Sequence, residues 1–153
     1  MKEVIAMGEE KQFVAFMLGN EEYAVEILAV QEIIRWSKIT RVPKAPNYVK
    51  GVINLRGTVI PVIDSHIRFN LLEQVVTDTT RVIVFKNEDT VIGLTVDLVT
   101  EVLSLNLDNI ENPQTTRGVE NQFINGIGKV NERLLIILDL TKVLQIGNSI
   151  LGK

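Results

Sequence analysis

Apolar positions in this chain fall into short runs interrupted by Gly, Asn, Asp or Pro, and the runs favour β-branched residues: 38 of the 153 residues are Val or Ile. Some runs alternate apolar with polar and others are apolar throughout, a pattern of strands buried on one face and strands buried on both. The pattern predicts strands near 12–18, 22–26, 29–36, 51–57 and 59–63, and again near 81–87, 90–96, 98–105, 126–131 and 133–138. Gly19-Asn20-Glu21, Arg56-Gly57 and Asn87-Glu88-Asp89 stand where chain reversal needs residues that tolerate positive φ. Pro43 and Pro46 bend the stretch 41–50, and Pro113 marks a longer equivalent at 106–125. Asp64 and Asp139 each follow a final strand and are placed to cap a short helix, with Ile67, Phe69, Leu140, Val143 and Leu144 facing inward. Residues 70–80 read as a polar crossover.

The pattern is written twice. Gly51, Val52, Leu55, Val59, Ile60, Val62, Ile63 and Asp64 align without a gap on Gly126, Ile127, Val130, Leu134, Leu135, Ile137, Leu138 and Asp139. Upstream, at a slightly different offset, Val30, Glu32, Ile33 and Ile34 align on Val99, Glu101, Val102 and Leu103. A period of roughly seventy residues is too long for a solenoid and suits two small lobes of five strands each. The expectation is an all-β chain with lobe one over about 12–70, lobe two over about 81–146, a tail over 1–11 and another over 147–153. Neither lobe is large enough to be stable alone, so each leans on the other.

Composition narrows the function. The chain is 46% hydrophobic and 23% charged with a net charge of −3, and its cations are scattered in sequence, which argues against nucleic acid or anionic lipid as partner. It has no cysteine, so disulfides, thiolate zinc sites and cysteine nucleophiles are excluded. The acidic N-terminus is no secretory signal, and the longest aliphatic run, Leu134 to Leu138, is far too short to span a membrane. A soluble, cytoplasmic protein is expected.

Candidate chemistry is sparse. The single histidine, His66, follows Asp64 at a helix start and reads as an exposed helix-start residue rather than a ligand or catalyst. Glu9-Glu10 and Glu21-Glu22 read as solvated charges, Gly126-Ile127-Gly128 lacks the strand-to-long-helix context of a phosphate loop, and no serine sits in a nucleophile elbow. No enzyme, cofactor or metal is expected. Glu32 and Arg56 are ambiguous: each is an ordinary exposed charge, or they pair across neighbouring strands. Val30, Val82 and Val102, judged as valines in β runs, belong to barrel core.

The stretch Tyr23 to Asp64, with Val30-Gln31-Glu32, Asn54-Leu55-Arg56-Gly57 and Val62-Ile63-Asp64 at their spacing, resembles the signature region of the CheW-like domain, the chemotaxis coupling-protein family, and the second half resembles that family's second barrel. The resemblance runs over roughly residues 12–146. One departure is Asp64-Ser65-His66, where the family usually has Asp-Leu-Arg. The resemblance implies two SH3-like five-stranded barrels, no catalysis, and a scaffold joining the histidine kinase CheA to the cytoplasmic tips of chemoreceptors. With no room before Lys153 for an ATP-binding or phospho-accepting module, the expectation is a stand-alone coupler.

By resemblance, Val30, Glu32, Gly51, Arg56, Val82, Gly93 and Val102 are receptor-binding positions, with the valines along a groove between the lobes. The kinase-binding surface is expected on the outer face of the first lobe, where Ile27, Val42 and Val59 supply aliphatics near strand ends. The first lobe would dock on the regulatory domain of the kinase, the second would meet other copies of the coupler in rings, and the protein would be recruited to membrane-associated arrays without entering the membrane. A generic SH3-like peptide- or nucleic-acid-binding module is the rival; 5% aromatic content and negative charge count against it.

Overall fold

The computed structural model describes residues 9–111 and 121–146. Eleven strands are described: β1 (Glu10–Leu18), β2 (Glu21–Glu26), β3 (Val30–Arg35), β4 (Val49–Leu55), β5 (Thr58–Ile63), β6 (Arg81–Asn87), β7 (Thr90–Val96), β8 (Leu98–Asn106), β9 (Ile110–Glu111), β10 (Ile124–Val130) and β11 (Arg133–Leu138). Two short helices follow the last strand of each repeat, α1 (Ser65–Arg68) and α2 (Leu140–Val143). All ten expected strands are present within about two residues; the two-residue β9 is additional. The bend assigned to Pro113 and the C-terminal tail lie outside the described residues, while β1 starts inside the supposed N-terminal tail, at Glu10.

The strands form two sheets of the SH3-like type. One has the order β3-β6-β7-β5-β4 and is the central barrel; the other, β8-β1-β2-β11-β10-β9, is the terminal barrel. The division into a lobe over 12–70 and a lobe over 81–146 is therefore corrected, because the two repeats exchange their first hairpins. β1 and β2 join β8 to β11 of the second repeat, and β6 and β7 join β3 to β5 of the first. The borrowed hairpins are held by parallel pairing: Ile136 and Ile137 lie beside Tyr23 and Ala24, and Val62 and Ile63 beside Gly93 and Leu94. β2 is linked to β3 by the 3₁₀ turn Ile27–Ala29, three residues that reach at most roughly 10 Å. That is about the spacing of packed sheets, and the turn carries the chain from one sheet to the other.

Alternation along the strands then builds three apolar layers. On β1, Phe13 and Ala15 point into the terminal barrel with Ala24, Leu135 and Ile137. Val14, Phe16 and Leu18 point the other way and meet Ile83, Phe85, Ile92 and Leu94 of the central sheet. On β6, Val82 and Val84 point into the central barrel with Ile53, Ile60 and Val62. The layer between the barrels is the largest of the three, so β1, β2, β6 and β7 are buried on both faces. A row of rings runs through it: Phe16, Tyr23, Phe69 and Phe123 have successive centroids 6.1, 5.9 and 5.4 Å apart.

Asp64 and Asp139 cap the helices as expected: Asp64 accepts from the amides of His66 and Ile67, and Asp139 from that of Lys142. Phe69, Val143 and Leu144 are buried, but Ile67 is exposed. Arg68 joins the two helix ends, donating to the carbonyls of Lys142, Val143 and Gln145 while stacking on Tyr48, 4.0 Å from the ring centre.

Each barrel closes in the same way. The chain running on from β3 brings Thr40 beside Val52 of β4, with two backbone hydrogen bonds of 2.8 and 2.9 Å, and the chain running on from β8 brings β9 beside β10. Charges secure both closures. Arg56 pairs with Glu32 on the central barrel, and Arg133 pairs with Glu101 and Glu22 on the terminal one. Burial works against ionisation of Glu22, but hydrogen bonds from Arg133 and Thr100, together with the arginine's charge, outweigh it and hold the carboxyl below its usual range.

Two expectations follow from this construction. A fragment of residues 1–75 holds two strands of one barrel and three of the other, so it should show no cooperative melt, whereas the full chain should unfold in one transition by near- and far-UV circular dichroism. A monomeric 1–75 fragment that melts cooperatively would contradict hairpin exchange as the basis of stability. For Glu22, a pKa lowered by folding means stability that is present above the carboxylate range and lost as pH falls through the folded-state value. Glu22→Gln should cost about 1 kcal/mol at neutral pH. The difference from wild type should shrink in denaturation curves taken below roughly pH 4.

Candidate functional site

Glu32 and Arg56 do face each other. Glu32 sits in β3, half-buried, and Arg56 occupies the β4–β5 turn at φ 52°, a left-handed position that aims its exposed guanidinium back across the closure. The turn is fixed by Asn54, whose Oδ1 accepts from the Gly57 amide at 2.9 Å. Arg56's hydrogen bond holds the Glu32 carboxyl below its ordinary range, and Glu32 raises the guanidinium in turn. The pair is a solvent-facing dipole on the central barrel.

Val30 and Val102 lie on different barrels. Val30 begins β3, half-buried, across from Phe85; Val102 is on β8, 50% exposed, across from Val14. Phe85 and Val14 both belong to the layer between the barrels, and cross-strand partners share a face. Both valines therefore edge the same seam, one from each sheet, as a groove between lobes requires.

Gly51, Val82 and Gly93 do not line that groove. Val82 is 0% exposed and points into the central barrel, and both glycines are buried. A Cβ on Gly93 would meet Cγ1 of Val82 at 2.7 Å, and one on Gly51 would meet the Thr40 carbonyl at 2.2 Å. As contact residues these three are corrected: their positions set how closely β7 packs on β6 and how the barrel closes at Thr40. The reason is strand parity, since Val82 and Ile83 point to opposite faces of β6 and it is Ile83 that reaches the seam.

The other three candidates do not share one patch. Ile27 is half-buried and packs against the layer between the barrels from the 3₁₀ turn. Val42 lines a pocket of about 660 Å³ with Trp36, Pro43 and Pro46. Val59 is 62% exposed at the rim of a separate groove of about 500 Å³, walled by Pro61, Val91, Leu144 and Ile146.

His66 is 6% exposed rather than on the surface. Its Nδ1 lies 2.6 Å from the Leu72 carbonyl and its Nε2 3.0 Å from the Asp97 carboxylate, which also accepts from Gln74 and from the Gly19 amide. The ring thus ties the crossover to the β7–β8 bend and the β1–β2 turn. Among the described residues no group of acidic, histidine or cysteine side chains is arranged for a metal, and no helix is long and apolar enough to cross a membrane. Exposed aliphatics that the sequence pattern left unmarked are Leu28 at 93%, Leu72 at 89%, Val75 at 75% and Leu134 at 58%. Leu134 had a signal, its alignment with Val59; Leu28 had none, because the pattern places it inside a continuous apolar run.

The family model of the CheW-like domain matches residues 12–147. Among proteins similar in sequence are the chemotaxis protein CheW of Bacillus subtilis, 40% identical over 141 residues covering 92% of this chain and 89% of that one, and the chemotaxis protein CheW of Klebsiella aerogenes, 38% identical over 135 residues covering 88% and 81%. The crystal structure of the scaffolding protein TtCheW from Thermoanaerobacter tengcongensis superposes with a TM-score of 0.84 at 32% identity, covering 93% of this chain and 92% of that one. With its two closed barrels, its charged pair at the β4–β5 turn and its seam, this chain belongs to the CheW-like domain family.

Proposed function

We propose that this protein is a chemotaxis coupler: a non-enzymatic scaffold that holds the cytoplasmic tips of chemoreceptors and the regulatory domain of the histidine kinase CheA at once, so that receptor state controls kinase activity. The observation that carries the reading is that the seam edged by Val30 and Val102 stands apart from the groove at Val59 and the pocket at Val42 on one body. The seam edged by Val30 and Val102, with the Glu32–Arg56 pair beside Val30 on the central barrel, suits a receptor helix. Aliphatics fill a groove while a few charges fix register, which is how amphipathic helices are recognised. The rim at Val59 and the pocket at Val42 suit the kinase. Gly51, Val82 and Gly93 support the receptor surface from beneath, and Ile27 supports the seam from the 3₁₀ turn. Further copies of the protein extend the assembly into rings, individual contacts are weak, and the array gains by avidity. The site of action is the cytoplasm, beneath membrane-associated receptors.

Removing either charge should weaken receptor association without unfolding the protein. Arg56→Ala and Glu32→Ala are each expected to lower affinity for receptor-tip helices by roughly three- to tenfold, with the loss shrinking at high salt. Their melting temperatures should stay close to wild type, since the pair is solvent-facing. Fluorescence titration of a receptor-tip hairpin checks this; wild-type affinity in both variants would return Glu32 and Arg56 to a purely structural role.

A charge inserted into an apolar contact is desolvated without a partner and removes most of that contact's affinity. Val59→Glu should therefore abolish kinase-domain binding and spare receptor binding, and Val102→Glu should do the reverse. Both positions are at least half exposed, so both variants should keep the wild-type circular dichroism spectrum. Equal impairment of both partners by each substitution in folded protein would replace two surfaces with one.

A further inference from the structure

The charges of this chain are distributed unevenly. Over residues 33–63 there are six cations, Arg35, Lys38, Arg41, Lys44, Lys50 and Arg56, and no carboxylate; the rest of the chain carries ten cations and nineteen carboxylates. Four of the six, Lys38, Arg41, Lys44 and Lys50, line the one pocket that also holds Val42. Its only lining carboxylate is Asp64, buried and already occupied: it caps α1 and accepts from Lys50 at 3.4 Å. Among the described residues, Lys38, Arg41 and Lys44 meet no carboxylate, whereas Lys11, Arg56 and Lys129 each hold one and Arg133 holds two.

The pocket is built rather than incidental. Val42 to Ala45 form a turn in which the Ala45 amide donates to the Val42 carbonyl and Lys44 stands at φ 68°. That conformation suits Gly or Asn, and a lysine there carries a steric cost, which places its charge at the tip of a turn made rigid by Pro43. Lys50 lies over the Trp36 ring, 5.4 Å from its centre, so the floor of the pocket is aromatic and cationic together.

Such a lining selects its occupant. The cations share the lining with Trp36, Val42, Pro43 and Pro46, apolar surface that a free phosphate would leave unused. The excess of carboxylates over the remainder of the chain repels an extended polyanion such as nucleic acid or an anionic bilayer. We infer that the pocket framed by Trp36, Lys38, Arg41, Val42, Lys44 and Pro46 receives an acidic protein segment, carboxylates toward the three unpaired cations and an aliphatic side chain against Val42. Resting on the scaffold reading above, the segment belongs to the regulatory domain of the kinase.

The test uses the full chain and its triple variant Lys38→Glu, Arg41→Glu, Lys44→Glu, with two probes: a fluorescent helical peptide of Glu and Leu beside its Lys-for-Glu counterpart, and the kinase regulatory domain. Wild type should bind the acidic peptide, with affinity falling as salt rises, and should ignore the basic one. The triple variant should lose at least about tenfold in affinity for both the acidic peptide and the kinase domain, while its receptor affinity is unchanged. Failure of wild type to bind the acidic peptide, equal binding by the two proteins, or displacement of the peptide by equimolar inorganic phosphate overturns the inference. Peptide binding that responds while kinase binding stays at wild-type level removes the kinase as occupant and keeps the acidic-segment site. Absence of any kinase binding by wild type, with the peptide responding, sinks the scaffold reading instead. If the triple variant does not fold, Lys44→Gly serves in its place: a melting temperature no lower than wild type with weaker peptide binding supports the inference, and unchanged binding counts against it.

Discussion

Everything in this protein depends on the apolar layer between the two barrels. Val14, Phe16, Leu18, Tyr23 and Val25 of one sheet meet Ile83, Phe85, Ile92, Leu94 and Val96 of the other, and each side chain so buried contributes on the order of 1.5–3 kcal/mol. The interiors of the barrels are smaller and made largely of Ala, Val, Leu and Ile. Neither sheet has a solvated face along its middle strands, so either barrel taken alone would expose this layer to water. The Tyr23 hydroxyl illustrates the depth of the layer: burial, reinforced by Glu21, pushes its ionisation above the ordinary phenol range.

Hairpin exchange follows from the same constraint and strengthens it. Once a three-residue turn carries the chain from β2 directly to β3 in the facing sheet, the first hairpin must find partners in the other repeat. Parallel pairing of β2 with β11 and of β7 with β5 meets that need. Covalent continuity then crosses the seam repeatedly, and a force or a shift applied to one barrel is transmitted by backbone as well as by packing.

Duplication also leaves a pair of related closures that have diverged. Glu32 and Glu101 occupy equivalent positions in the third strand of each repeat, and each pairs with an arginine at the hairpin that closes its barrel. On the terminal barrel Arg133 is shared with Glu22, which is largely buried, and is held by hydrogen bonds to both carboxylates. On the central barrel Arg56 has only Glu32 and stays mostly exposed. The same device is thus a network of three side chains on one barrel and an exposed pair on the other.

The alternation of apolar and polar residues determined nearly all the strands, the capping aspartates and the duplication, because these depend on neighbours within a few positions. It left Glu32 and Arg56 open between ordinary exposed charges and a cross-strand pair, and the structure pairs them. Three things were decided only by the tertiary structure. Which sheet each strand joins rests on pairings between distant residues, such as Ala24 with Ile137, whose free energy leaves no local trace. Whether a valine lines a groove or fills a barrel rests on strand parity relative to the partner sheet, and it put Val82 inside and Val102 outside. Cations scattered between Lys38 and Lys50 become one pocket only when Pro43, Pro46 and the Thr40–Val52 bridge fold the loop upon itself, since charge density is a property of distance in space and the sequence records only distance along the chain.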